Sequence, residues 1–211
     1  MPRSSEQYEA MRIATLEKVQ AAAITLFARH GFAATNMRDI AREAGISTGL
    51  IYRHYATKDD LFAALATQAT DGLRRVVELF GREGSPAELL GGFAREFVDD
   101  IAHVRGSAEF VLIMNQALVS RHGSAQIDAL LDQHLALVDA TVALIRRGQR
   151  TGDFRPGDAT ELATCWFAAV TGLATMKAAL GHRFVPPHPS TLTGFLTRST
   201  DDRDRSGPRA G

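Results

Sequence analysis

Cysteine is almost absent from this 211-residue chain, which contains only Cys165. No disulfide can therefore form within the chain. Cys165 lies in an apolar run, where a lone cysteine is expected to be a small buried hydrophobe rather than a reactive thiol. A reducing compartment suits this composition, and the charged N-terminus lacks the apolar segment of a signal peptide. We therefore expect a cytoplasmic protein.

Long hydrophobic runs are also missing. The most apolar stretch extends from Leu162 to Met176 and contains three threonines and a glycine. It is shorter than the roughly 18–20 residues that span a bilayer. We expect no membrane association and interpret this stretch as part of a buried helix.

Net charge is absent, because 24 Lys and Arg balance 24 Asp and Glu and the pI is about 7.1. The molecule as a whole therefore lacks the basic surface that marks many nucleic-acid-binding proteins. Any affinity for DNA must come from the local placement of a few cationic side chains.

Motifs of enzymes, nucleotide sites and metal sites are missing or out of context. The sequence has no G-x-x-x-x-G-K-[ST] and no G-x-G-x-x-G, and its seven histidines include neither H-E-x-x-H nor a close ligand pair. Gly45 to Gly49 spells G-x-S-x-G, but that nucleophile motif follows a strand, and a helix is predicted here. We therefore predict no catalytic residue, no metal site and no cofactor.

A two-helix pattern at residues 36–55 is the most informative stretch that is present. The apolar residues of its first helix recur at helical spacing and are Met37, Ile40, Ala41 and Ala44. Thr35 or Asn36 could cap this helix through a side-chain oxygen. Gly45 follows at once, where a left-handed residue often ends a helix.

The second helix has a small core seam and an unusual outward face. Ser47 could cap it, and Ile51 and Tyr55 lie four residues apart on the inner side. The outward face combines hydrogen-bonding, aromatic and cationic groups, namely Thr48, Gly49, Tyr52 and Arg53 with His54 beside them. A helix–turn–helix presents such a face to the major groove of DNA. The alternative is a helical hairpin that only packs.

The run from Ala34 to Leu61, ATNMRDIAREAGISTGLIYRHYATKDDL, resembles the DNA-binding signature of the TetR/AcrR family of bacterial transcriptional regulators. The likeness includes the D-I-A run at 39–41, the A-G-I-S turn at 44–47, the L-I-Y core at 50–52, and Tyr55 two residues before T-K. The pattern is unbroken and lies within the first third of the chain.

This resemblance implies a DNA-contacting set: Thr35, Arg38, Ser47, Thr48, Gly49, Leu50, Tyr52, Arg53, His54 and Lys58. Thr48 and Arg53 would contact base edges, Gly49 would allow close approach, and Leu50 could touch a thymine methyl. Apart from Ser47, which caps the helix, the other members would hold phosphates through hydroxyl or cationic groups, the Thr35 hydroxyl included.

The whole chain shows helical periodicity, and no run alternates with period two, so we expect an all-α fold. Residues 1–8 are predicted to be frayed. Helices are predicted over Glu9–His30, residues 57–80, Pro86–Val104, Ala108–Arg121, Ala125–Gly148, Ala159–Leu180 and Ser190–Arg198. We expect a three-helix helix–turn–helix head at 1–56, a linking helix at 57–80, a ligand-binding and dimerisation bundle at 81–200, and a disordered tail at 201–211.

The helix predicted over Ala159–Leu180 is apolar on nearly all sides, which requires burial on all sides. In a chain of this size, that arrangement favours a subunit interface on one face and the protein core on the other. Small residues that would allow close helix approach are Ala168, Ala169, Gly172 and Ala174. The resemblance likewise implies a homodimer formed by the last two long helices, whereas the alternative is a central helix of a monomer.

The resemblance also implies a pocket for a small effector in the bundle. Candidate ligand-binding residues are Phe97, Phe110, Met114, His134, Trp166 and Met176. We predict a repressor, not an enzyme, that binds a palindromic DNA operator as a dimer and is released by a small, largely apolar effector. Two alternatives stay open: a helical protein-interaction module, and a helical enzyme that uses the C-terminal pocket.

Overall fold

The computed structural model describes residues 5–120 and 124–197. Within these ranges it contains only helices, apart from an isolated antiparallel bridge between Phe154 and Thr197. The α-helices are α1 Ser5–Ala34, α2 Met37–Glu43, α3 Thr48–His54, α4 Lys58–Gly81, α5 Pro86–His103, α6 Ser107–Ser120, α7 Ala125–Thr151, α8 Ala159–Leu180 and α9 Pro189–Thr193, with a 3-10 turn at Gly181–Arg183. The predicted all-α class is confirmed. The predicted end points Arg121 and Arg198, and the tail at 201–211, lie outside the described residues.

Helix α1 differs from its prediction at both ends. It begins at Ser5, so the prediction that residues 5–8 are frayed is wrong. Helix-favouring Glu, Gln, Ala and Met fill its solvent-exposed first turns, and Glu9 pairs with Arg12 at 2.8 Å. Gly31 does break the helix, at φ 78 and ψ 161, but a further turn of helix follows it to Ala34.

The helix–turn–helix forms as the sequence predicts. The Asn36 side chain caps α2 by accepting the N–H groups of Arg38 and Asp39. Gly45 adopts φ 67, a left-handed value that strains side-chain-bearing residues. The Ser47 hydroxyl then caps α3 by accepting the Leu50 N–H at 3.2 Å. The turn between the helices is therefore set by local chemistry.

Helix α4 contributes side chains to two separate hydrophobic cores. It begins with a complete capping box, in which the Thr57 hydroxyl accepts the Asp60 N–H and Asp60 accepts the Thr57 N–H. Leu61 and Leu65 are fully buried in a core shared by α1, α2, α3, α6 and α7. Phe80, near the other end of α4, lies in a second core formed with α5, α7, α8 and α9.

The second core contains Trp166 and Phe154, the two largest fully buried side chains among the described residues. Phe154 follows α7 and folds back against Gly148, and its N–H donates to the Gly148 carbonyl oxygen at 3.0 Å. Helix α7 therefore does not end at Gly148 as predicted. It continues to Thr151 and ends at Gly152, which adopts φ 83.

Helix α8 has the predicted bounds, and within the single chain only one of its faces is buried. One face packs inward through Leu162, Ala163, Trp166 and Ala174. The opposite face leaves Cys165, Ala168 and Met176 exposed to solvent. The prediction that Cys165 is buried is therefore wrong for the single chain, because its side chain lies on this second face.

By length and composition alone, Ala159–Arg183 is long and apolar enough to cross a membrane, with a mean hydropathy of 1.2 over its most apolar window. Within the chain, however, α8 packs against α6 and α7. The uncharged stripe of Thr164, Cys165, Ala168, Gly172 and Thr175 on its outer side suits cover by another helical surface.

A test of this packing is the pair of substitutions Gly148→Ala and Gly91→Ala. A Cβ atom at Gly148 would lie 2.2 Å from the Phe154 ring, whereas one at Gly91 in α5 would meet only the flexible Arg95 side chain at 3.8 Å. We expect Gly148→Ala to lower the free energy of unfolding by about 1–3 kcal/mol. Gly91→Ala should raise it by roughly 0.5–1 kcal/mol. Urea denaturation measures both, and equal stability of the two variants would contradict the close packing at Gly148.

Candidate nucleic-acid interface

The outward face of α3 is open to solvent. Thr48, Gly49 and Arg53 are exposed, and the Tyr52 side chain keeps 49% of its accessible surface. Leu50 and His54 flank this face and are half-buried. Among the described residues, and apart from the adjacent residues and backbone of α3 itself, nothing lies within 4 Å of a Cβ placed on Gly49, so packing in this part of the chain does not require a glycine there. The space above Gly49 is therefore free for a partner to approach the backbone.

The inner side of α3 holds this face in place. Ile51 is fully buried, and Tyr55 is 8% exposed. The Gln20 side-chain amide of α1 donates to the Tyr55 hydroxyl at 3.2 Å, which ties the end of α3 to α1. This role of Gln20 could not be predicted, because no local sequence pattern relates positions 35 residues apart.

Cationic groups near α3 differ in their availability. Arg42 is held by Asp39 within α2, at 2.5 Å. Arg38 and Arg53 are exposed, and neither forms an ion pair with another residue of the described ranges. These two guanidinium groups can therefore bind phosphate or base edges without breaking an internal contact.

Thr35 does not lie where the phosphate prediction requires. Its side chain is 3% exposed, and its hydroxyl donates to the Gly31 carbonyl oxygen at 2.9 Å. The broken end of α1 leaves that carbonyl without a helical partner, and Thr35 satisfies it. We therefore assign Thr35 to the joint between α1 and α2 rather than to DNA contact.

Lys58 is also turned inward. Its ammonium group donates to the carbonyl oxygens of Phe32 and Thr35, at 2.5 and 2.7 Å, and it lies 4.3 Å from the centroid of the Phe32 ring. A lysine at this position neutralises the negative end of α1 and fixes the start of α4 against it. We name this arrangement of Lys58 with Phe32 and Thr35 the Lys58 clasp. It differs from the prediction that Lys58 contacts a DNA phosphate, because the ammonium group faces the protein.

The six candidate ligand-binding residues do not come together in one cavity. Trp166 is fully buried and contacts Phe93, and Phe97 lies beside the same core. Phe110 and Met114 belong to the core around α1 and α6. Met176 is 50% exposed on the outer face of α8. Five of the six candidates are therefore divided between different parts of the bundle, because helical spacing does not specify which core each face joins, and their role in ligand binding stays a prediction.

His134 stands apart from the other five. It is half-buried on α7, with its ring centroid 5.7 Å from that of Phe167. Burial in these apolar surroundings lowers the pKa of its imidazole, because the charged form loses hydration. His134 is therefore favoured in its neutral form.

A three-helix head with an outward-facing recognition helix, carried on a helical bundle, defines a helix–turn–helix regulator of transcription. The family model described as "Bacterial regulatory proteins, tetR family" matches residues 20–65. The transcriptional regulator TtgR of Pseudomonas putida is 30% identical over 185 residues, which cover 81% of each chain. The chain belongs to the TetR family of bacterial regulatory proteins.

Other relatives agree in sequence and in fold. The transcriptional repressor KstR2 of Mycobacterium tuberculosis is 29% identical to this chain over 135 residues. These residues cover 64% of this chain and 66% of KstR2, which is just under two thirds of its length. Its structure, that of a ketosteroid transcriptional regulator, aligns with a TM-score of 0.68 at 21% identity over 87% of this chain and 95% of its own. A structure described as a transcriptional regulator from Saccharomonospora viridis in complex with choline aligns with a TM-score of 0.63 at 24% identity. The alignment covers 87% of this chain and 98% of that one. These relatives are transcription regulators and not enzymes.

The Lys58 clasp predicts that Lys58→Met affects stability more than DNA contact. Loss of the charged hydrogen bonds should lower the free energy of unfolding by about 1–3 kcal/mol. The exposed Lys18 of α1 gives a matched control, Lys18→Met, which should leave stability nearly unchanged. Chemical denaturation measures both variants. A lost phosphate contact would instead reduce the slope of log affinity for DNA against log salt by about 0.9 per contact, and that result would contradict an inward-turned Lys58.

Proposed function

We propose that this chain is a ligand-responsive repressor that binds a palindromic operator in double-stranded DNA as a homodimer and is released by a small, largely apolar effector. The observation that carries this proposal is the outward face of α3, which is exposed, polar and held from behind by Ile51 and Tyr55. The proposed site of action is the bacterial cytoplasm.

Within the DNA complex, the first turn of α3 would enter the major groove. Thr48 and Arg53 would contact base edges, Leu50 would contact a thymine methyl, and Gly49 would let the backbone approach. Arg38, Tyr52 and His54 would hold phosphates and so set the register on the duplex. Ser47 serves this arrangement by capping the helix.

The homodimer would form through the outer faces of the last two long helices, α7 and α8. The exposed stripe of α8 supports this proposal because it contains no charged side chain from Thr164 to Met176. To bind two successive major grooves, such a dimer must hold its two copies of α3 about 34–36 Å apart, one turn of B-form DNA. Such a pair would face two half-sites of a palindrome.

Release by an effector is supported by the relatives. One is described as a ketosteroid regulator and another as a complex with choline, so both descriptions concern small molecules. In this chain, an effector would act only if it bound the DNA-free conformation more tightly than the DNA-bound one. Because α4 belongs to both cores, a displacement in the bundle would reach the head.

Selection of bound sequences from random duplex DNA tests the proposed function. The same selection with Arg53→Ala tests whether Arg53 contacts base edges. The wild-type chain should enrich a palindrome. Arg53→Ala should relax preference at one or two base pairs of each half-site and weaken binding to the selected operator by about 1–3 kcal/mol. Arg95→Ala, which removes an exposed arginine of α5, is the matched control and should change neither quantity. Unaltered sequence preference in Arg53→Ala would remove Arg53 from the base-contacting set.

Ala168→Arg tests the proposed dimer. Two arginines would face each other across the apolar stripe, so the dimer should dissociate and affinity for a palindromic operator should fall. Ala14→Arg, at an exposed position of α1, should leave the dimer intact. Sedimentation equilibrium measures the assembly. A dimer that persists in Ala168→Arg would exclude this face of α8 as the interface.

A further inference from the structure

Helix α3 is held against the head by very few side chains. Among its own residues only Ile51 is buried, while Leu50 and His54 are half-buried and the others are exposed. Tyr55, at the C-terminal cap, is the second buried anchor and is 8% exposed. Burial of apolar surface is non-directional, so these two anchors hold α3 in place but set its rotation about its own axis only loosely.

A hydrogen bond from α1 supplies the missing direction. The Gln20 side-chain amide donates to the Tyr55 hydroxyl at 3.2 Å. In the part of the chain that the structure describes, no other hydrogen bond joins α3 or Tyr55 to another helix. Because a hydrogen bond is sensitive to distance and angle, this contact fixes where the end of α3 lies relative to α1.

Helix α1 gives this bond a firm base. Val19, next to Gln20, and Ala23, one turn further on, are fully buried in the core of the head. The same core includes Ile113 and Met114 of α6, so α1 packs against the bundle as well as against α2. Gln20 therefore ties the lightly held α3 to a helix that is buried from two sides.

Small rotations of α3 matter more for base contacts than for phosphate contacts. A group at the surface of a helix lies roughly 5–6 Å from the axis, so a rotation of about 20° moves it by about 2 Å. Hydrogen bonds to base edges need donor–acceptor distances of about 2.7–3.2 Å and would be lost by such a movement. Attraction to phosphates depends mainly on charge and carries no sequence information. The rotation of α3 therefore affects the choice of sequence more than the total affinity for DNA.

We propose that Gln20 is a positioning residue for the recognition helix: through the Tyr55 hydroxyl it sets the rotation of α3 and thereby the discrimination between operator and random DNA. Gln20 does this without touching DNA itself. The effect on discrimination rests on the proposed DNA-binding function, whereas the hold on α3 does not. A bond that served stability alone would leave discrimination unchanged.

Hydrogen exchange tests the hold on α3 in the absence of DNA. Gln20→Met and Tyr55→Phe nearly keep the size of each side chain and remove one partner of the bond. Both should speed exchange of the α3 amides about twofold to tenfold, as expected for one net hydrogen bond, and leave the amides of α8 unchanged. Gln116→Met, which removes a side-chain hydrogen bond to Ser120 within α6, is the matched control and should leave α3 unchanged. Exchange of α3 at the wild-type rate in either variant would overturn the proposal.

Competition binding tests the effect on discrimination. The measured quantity is the ratio of affinity for the selected operator to affinity for random duplex DNA of equal length at one salt concentration. This ratio should fall about threefold to tenfold in Gln20→Met and in Tyr55→Phe. The double variant should fall no further, because all three proteins lack the same bond. Gln20→Glu, whose carboxylate can accept the Tyr55 O–H, should recover most of the wild-type ratio, and Gln116→Met should keep it.

The two measurements separate this inference from the proposed function. If the wild-type chain prefers no sequence, the proposed function fails and the role in discrimination fails with it, while hydrogen exchange still decides whether Gln20 holds α3. If the wild-type chain discriminates but Gln20→Met does so equally well, or if Gln20→Glu does not restore the ratio, the positioning role is overturned and the proposed function stands.

Discussion

The structure depends on burial of both ends of α4 in different cores. Leu61 and Leu65 pack with the helices of the head and with α6 and α7, whereas Phe80 packs with α5, α8 and α9. Each fully buried leucine contributes roughly 1.5–3 kcal/mol through the hydrophobic effect. Bending α4 would expose one of these sets of apolar side chains, and the free-energy cost of that exposure opposes bending. Head and bundle are therefore connected through a packed helix and not by a flexible tether.

The Lys58 clasp adds a polar constraint at the head end of this helix. The Phe32 and Thr35 carbonyls belong to the irregular segment after Gly31, where helical hydrogen bonds are interrupted. A single ammonium group satisfies both carbonyls and also rests on an aromatic ring. The segment that connects α1 to α2 is thus held by the first residue of α4. The chain has no net charge, yet it places the Lys58 ammonium at the broken end of α1 and leaves Arg38 and Arg53 exposed near α3.

Short-range chemistry explains which features could be predicted from sequence. The caps at Asn36, Ser47 and Thr57 and the left-handed Gly45 involve neighbours within three residues, so their pattern is visible in the chain. The bounds of α8 followed from periodicity for the same reason. Long-range partners were not visible. Lys58 has the same sequence context whether it binds phosphate or a carbonyl 26 residues away, and helical spacing does not distinguish the core around α1 from the core around Trp166.

The exposed position of Cys165 has a practical consequence for following assembly. Cys165 is the only thiol in the chain, and in the single chain it faces solvent from the uncharged side of α8. A dimer formed through this side would cover the thiol. The rate at which a small thiol reagent modifies Cys165 would therefore fall as the chain assembles, so the unmodified protein carries its own reporter of association.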